Sequence, residues 1–274
     1  MLQENILTGM FFILGLLLGH ILYPLAAIVG SLTGTITAHL LNFDKDNINR
    51  GIYGFSPALV AVALIFLYSS SIAVWLLIIL GSIVAAIVQH IFYIKKIPAF
   101  TFPFILVVWI IVFIVNQYLN ISPSSITQKD LFFWFNKLML APTNGFGEVI
   151  FQSNYIIGII FFIGVLINNR AAALYGLIAS FVGAVFALFY GQNHEQIQIG
   201  LFGFNALLTA IVFSGNKKTD IFWVFLGVVI TILLNNILFN LSVFNKFGGV
   251  FTFPFVAGTW ITLLIQKYSL KSIH

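Results

Sequence analysis

The chain has 274 residues, 61% of them hydrophobic and only 7% charged, where soluble domains carry about 25% charged residues, so it cannot coat a soluble globule. Its net charge of +5 comes from basic residues scattered over short loops, which excludes a nucleic-acid-binding face. It has no cysteine, which excludes disulfides, thiolate catalysis and Cys-zinc sites.

Ten apolar segments follow along the chain: residues 6–22, 24–41, 52–69, 72–94, 101–118, 155–168, 171–190, 200–214, 220–240 and 251–266. They predict an all-α polytopic membrane protein, because hydrocarbon leaves backbone N–H and C=O groups no partner outside the segment itself. Segments of about 17–25 residues can span, and shorter ones tilt or stop part-way. Residues 6–19 have no preceding Lys or Arg and no clear cleavage pattern, so they read as the first span rather than a signal peptide.

With ten crossings, one set of loops carries Lys45, Arg50, Lys95, Lys96, Arg170, Lys217, Lys218, Lys267 and Lys271; the other carries Lys129, Lys137 and Lys246. That asymmetry predicts that both termini are cytoplasmic.

The chain also repeats itself. Arg50-Gly51-Ile52-Tyr53-Gly54-Phe55-Ser56-Pro57-Ala58-Leu59 returns as Ile199-Gly200-Leu201-Phe202-Gly203-Phe204-Asn205-Ala206-Leu207-Leu208, an offset of 149. Phe100-Thr101-Phe102-Pro103-Phe104 returns unchanged as Phe251-Thr252-Phe253-Pro254-Phe255, an offset of 151. Gln3, Asn5 and Gly9 return as Gln152, Asn154 and Gly158. Five spans per copy is an odd number, so the copies are expected to be inverted repeats of one membrane domain.

The first repeat is placed at 1–118 and the second at 145–274. A connecting segment, 119–144, carries an interfacial aromatic string, Leu131-Phe132-Phe133-Trp134-Phe135, with Lys137 nearby. Gly145-Phe146-Gly147-Glu148-Val149-Ile150-Phe151 is apolar and too short to cross, and it predicts a re-entrant half-helix beside a pathway. The equivalent of that half-helix is missing from the first repeat, which reads as truncated at its N-terminus.

Several residues could carry chemistry. Glu148 is the one acidic residue inside an apolar stretch, either capping a helix in the interface or facing a solute. The two Phe-Thr-Phe-Pro-Phe strings are either lipid-facing aromatics or pore lining, with a threonine hydroxyl available to a freed carbonyl or a passing solute. Phe55 with Leu59, and Phe204 with Leu208, sit four apart on one helical face and read as core packing or as walls of a flat slit.

Other signals are weak. His20, His39 and His90 fall opposite Asn169, Leu188 and Phe239, so no symmetric histidine pair results. His194-Glu195 lies in an expected polar loop, Gly191 to Gln198. No His-Glu-x-x-His, Gly-x-Ser-x-Gly or phosphate-binding loop occurs. Gly30-x-x-x-Gly34 is a common helix-packing signal.

Ile52-Tyr53-Gly54-Phe55, Leu201-Phe202-Gly203-Phe204-Asn205, the two Phe-Thr-Phe-Pro-Phe strings and Gly145-Phe146-Gly147-Glu148-Val149 together resemble the urea transporter family, bacterial type, nearly end to end. The resemblance implies a homotrimer in the plasma (inner) membrane, with a narrow passive pathway for urea in each subunit. It implies that Phe204 with Leu59, and Phe55 with Leu208, sandwich the planar solute. Thr101 and Thr252 then line a dehydrated middle, and Glu148 and Val149 join a ladder of oxygens. Phe151 lies close to that ladder.

Two departures stand out. Ser56-Pro57 replaces the family's Asn-small pair, and the first-copy partner of Glu148 falls ahead of Met1, which points either to a start downstream of the natural one or to a protein that lacks half of its ladder.

The expected function is passive, channel-like diffusion of urea through a slot between the repeats, with no catalytic residue, metal or cofactor. The alternative is a proton-coupled transporter of a small amide or related neutral solute using Glu148. An ammonium-type channel lacks its paired histidines. A membrane enzyme or scaffold lacks a nucleophile–base set.

Overall fold

A computed structural model describes residues 3–126 and 140–271; the expected interfacial string Leu131–Phe135, with Lys137, lies outside them. The described residues are helical almost throughout: α1 Ile6–Gly19, α2 Leu22–Leu40, α3 Lys45–Asn49, α4 Ile52–Leu67, α5 Ile72–Ile94, α6 Phe102–Tyr118 and α7 Ala141–Glu148. Then come α8 Tyr155–Asn168, α9 Arg170–Phe189, α10 His194–Gln198, α11 Phe204–Phe213, α12 Lys218–Phe239 and α13 Phe253–Lys271, with a 3-10 turn at Ser242–Phe247. All ten expected segments are present within a few residues. This is an all-α membrane protein: α5, α9 and α12 are each long and apolar enough to cross a membrane, and they expose Leu76, Leu80, Leu174, Ile178 and Phe225 as a lipid-facing surface would.

Three short helices were not among the ten. In α3 the Asp44 carboxylate accepts the Asn47 N–H at 3.0 Å. In α10 Asn193 Oδ1 accepts the N–H groups of Glu195 and Gln196 at 2.8 and 3.4 Å. The expected polar loop at 191–198 is therefore half helix, because an Asx side chain at the N-cap satisfies donors that would otherwise be orphaned. The third, α7, begins four residues before the expected half-helix.

The chain forms two compact units. One comprises Leu16–Thr127 and Ser242–Phe251. Here α2 lies against α4, where Gly30 and Gly34 allow backbone contact: a Cβ on Gly34 would stand 2.3 Å from the Tyr53 carbonyl oxygen, and one on Gly30 would stand 2.5 Å from that of Pro57. Pro57 inside α4 has no N–H to offer the Tyr53 carbonyl. Residues 242–251 fold onto α6, with Trp109 Nε1 donating to the Gly249 carbonyl at 2.9 Å and Phe113 stacked on Phe247.

The other unit comprises Met1–Gly15, Gln128–Leu241 and Thr252–His274. Its α9 lies against α11 in the same manner, since a Cβ on Gly183 would stand 2.5 Å from the Phe202 carbonyl oxygen. Tyr53 and Phe202, like Gly34 and Gly183, are 149 residues apart. Helices α1, α3 and α8, α10 begin and end at positions 149 apart.

The register is less regular than the sequence strings indicate. Gly81 of α5 faces Val60 and Gly227 of α12 faces Thr209, an offset of 146 on one partner where 149 holds on the other. His90 thereby corresponds to Asn236 rather than Phe239. The reason is local: α11 ends at Phe213, the counterpart of Leu64, whereas α4 continues to Leu67.

Candidate solute-binding site

Eight residues were expected to contact solute, and each unit contains its own subset. In the first unit described above, Phe55 is half-buried on α4, Leu59 is buried one turn later, and Thr101 is buried immediately ahead of α6. In the second, Phe204 opens α11 and is buried, Leu208 follows one turn later, and Thr252 is buried just ahead of α13. Glu148 ends α7, with Val149 buried behind it.

The two threonines occupy the same kind of position. Thr101 accepts the Ile105 N–H and Thr252 the Val256 N–H through their backbone carbonyls, both at 3.1 Å. Each is preceded by a phenylalanine with φ 47° (Phe100 and Phe251), a left-handed conformation uncommon for a bulky residue. Pro103 and Pro254 stand in the first turns of α6 and α13, where a missing N–H leaves no gap. They start these helices rather than breaking them.

Glu148 is held from both ends of its helix. Pro142 lies in the first turn of α7, and Thr143 Oγ1 donates to the Leu140 carbonyl at 2.8 Å. At the other end the chain reverses at Phe151, φ 60°. Its N–H donates to the Glu148 carbonyl at 3.1 Å, and the Gln152 N–H donates to the Gly147 carbonyl at 3.0 Å. This is a Schellman closure with Phe where Gly is usual. The Glu148 carboxylate accepts the Ser153 hydroxyl at 2.7 Å.

The seat of α7 depends on glycine. A Cβ on Gly145 would stand 2.1 Å from Ser180 Oγ of α9, and one on Gly147 would stand 2.1 Å from the Gln152 carbonyl oxygen. Around α7, the buried oxygens Asn144 Oδ1, Ser180 Oγ and Gln152 Oε1 have no hydrogen-bond partner among the described residues. None of these three stands out in the sequence as a site residue. Gln152 had one signal, its recurrence with Gln3.

Also missed was a polar brace through α11, α12 and α13. Asn205 is fully buried, donates through Nδ2 to Asn235 Oδ1 at 3.0 Å and accepts the Phe255 N–H at 3.2 Å. The Thr209 and Thr231 hydroxyls meet at 2.8 Å. The signal was available: Asn205 and Thr209, and Thr231 and Asn235, are polar pairs four apart in apolar helices. In the other unit, Ser56 Oγ donates to Gln89 Oε1 at 3.3 Å, at the corresponding station.

A family model described as "Urea transporter" matches residues 1–267. Among curated proteins, the chain is 25% identical over 229 residues to Urea transporter 1 of Rattus norvegicus, covering 77% of this chain and 59% of that protein. It is 26% identical over 228 residues to Urea transporter 1 of Capra hircus, with the same coverage of each. The chain thus spans 59% of the length of these curated relatives.

Proposed function

The chain belongs to the urea transporter family, and on that premise we propose that it carries urea passively across a membrane. The observation that carries this reading is the family match over residues 1–267, which includes all eight candidate residues. We further place the chain in the plasma (inner) membrane as a homotrimer with cytoplasmic termini.

The chemistry suits the solute. Urea is small, flat and neutral, with one carbonyl acceptor and four N–H donors. The Phe55–Leu59 and Phe204–Leu208 faces provide apolar walls for a planar molecule. Oxygens of Thr101, Thr252, Glu148 and Val149 take over hydrogen bonds lost with water. Each buried polar group left unsatisfied costs about 1–3 kcal/mol, so these oxygens decide whether dehydration is tolerable. An ion faces a much larger desolvation penalty against the same apolar faces. Binding must also stay weak enough for release.

The test is urea flux into liposomes containing the purified chain, followed by light scattering. Flux down a urea gradient, with no ion gradient or nucleotide, is the expected result. Flux that collapses when a proton gradient is removed would identify the coupled carrier instead.

A further inference from the structure

We propose that a cavity at the cytoplasm-facing starts of α9 and α12 binds an anionic glycerophospholipid, with its phosphate at Lys217, Lys218 and Arg170 and an acyl chain on the apolar surface beyond. This rests on the chain being a membrane protein and not on urea as its solute.

The cavity holds about 470 Å³ and opens to the surface. Its walls are Leu174, Tyr175 and Ile178 of α9 and Ile221 of α12; its mouth is Asn216, Lys217 and Lys218. Arg170 is exposed on the first residue of α9, next to the wall residue Ala171. Lys217 and Lys218 therefore stand at one opening, with Arg170 one residue beyond its lining; the neighbouring carboxylate, Asp220, accepts the Lys217 backbone N–H through Oδ2 at 2.9 Å. Two long helices also begin here, and their N-terminal dipoles favour an anion.

The opening lies just beyond the end of α11 at Phe213, one turn short of the end of its counterpart α4. The other copy does not carry the charge. Its residues at the stations of Arg170, Tyr175, Lys217 and Lys218 are Ile21, Ala26, Ser71 and Ile72. The basic mouth is therefore not part of the duplicated scaffold.

Below the mouth the surface is greasy. Leu174, Ile178 and Phe181 run along one exposed edge of α9, and Ile221, Phe222 and Phe225 are exposed on α12. A soluble anion would use the lysines and leave this surface bare; a phospholipid uses both. Basic pockets between membrane helices on the positive side are suited to anionic headgroups.

The purified chain is equilibrated in detergent with equal amounts of dioleoyl-phosphatidylglycerol and dioleoyl-phosphatidylcholine, and retained lipid is counted by native mass spectrometry. The native chain is expected to retain the anionic lipid in about tenfold preference. The double change Lys217→Gln, Lys218→Gln brings the ratio close to one, while Lys95→Gln, Lys96→Gln, on the same expected face, leaves it unchanged. Leu174→Trp fills the wall without altering charge and lowers retention of both lipids. Equal retention by the native chain overturns the proposal without needing any variant. So does loss of preference in the Lys95, Lys96 variant, or undiminished retention after Leu174→Trp.

Discussion

Phe100 and Phe251, 151 residues apart, adopt the same left-handed backbone, with φ 47° in both. Each precedes the threonine that opens the way into a proline-started helix. A left-handed L-residue costs about 1–2 kcal/mol, and it persists only where surrounding structure over-determines it.

That cost sets up an unusual ranking. Phe251→Ala loses the ring that meets Phe104 edge-on at 5.8 Å and keeps the strain. Phe251→Gly loses the same ring and relieves the strain. Glycine is ordinarily worse than alanine by about 0.5–1 kcal/mol; here it is expected to be better by about 0.5–1 kcal/mol. Thermal unfolding in detergent ranks the two variants, and alanine above glycine would contradict the backbone assignment.

Backbone contact at Gly34 and Gly183 leads to a paired expectation. Gly34→Ala and Gly183→Ala each force a methyl against a carbonyl and should lower stability by about 1–3 kcal/mol. Gly9 of α1 has nothing within 4 Å of its would-be Cβ. Gly9→Ala should therefore be neutral or stabilising by up to about 1 kcal/mol. Melting temperatures of the three variants, measured together, decide it.

The Asn205–Asn235 bond should register as coupling rather than as a large single loss. Changing either residue to Leu strands the partner, and changing both removes that penalty. A double-mutant cycle should give a coupling energy of about 0.6–1.7 kcal/mol. Additivity of the two single changes would mean that the bond contributes nothing.

For transport, Glu148→Gln keeps an amide oxygen that can accept from urea, so partial flux should survive. Glu148→Leu removes the acceptor, and a loss of about 1–3 kcal/mol corresponds to roughly fivefold or more in rate. Liposome flux distinguishes them; equal loss in both variants points to a carboxylate that must titrate.

Thr101→Val and Thr252→Val keep shape and remove a hydroxyl. Each should reduce urea flux by about fivefold or more if the hydroxyl meets the dehydrated solute. Unchanged flux in both, with normal folding, removes the threonines from the pathway.

The positions of the membrane helices were legible because their signal is compositional. Long apolar runs such as 72–94 and 155–168 match α5 and α8 end for end, since hydrocarbon forces the backbone to bond within its own segment. Helices α3 and α10 were not legible, because five-residue helices have no apolar period and depend on one Asx cap each. Helix α7 begins four residues before the apolar stretch at 145–151, because its first turn, residues 141–144, holds Pro142 and polar residues, and proline is at home in a first turn.

By itself the sequence determined the helical membrane class, the duplication and the family, because all three rest on residue identity and order. Tertiary structure decided how the copies differ. The offset of 146 between α5 and α12, the Ser56–Gln89 and Asn205–Asn235 correspondence, and the early end of α11 depend on which side chains meet across helices. Letters aligned along one chain carry no record of that register, because neighbouring helices can slide by a turn and keep the same apolar pattern.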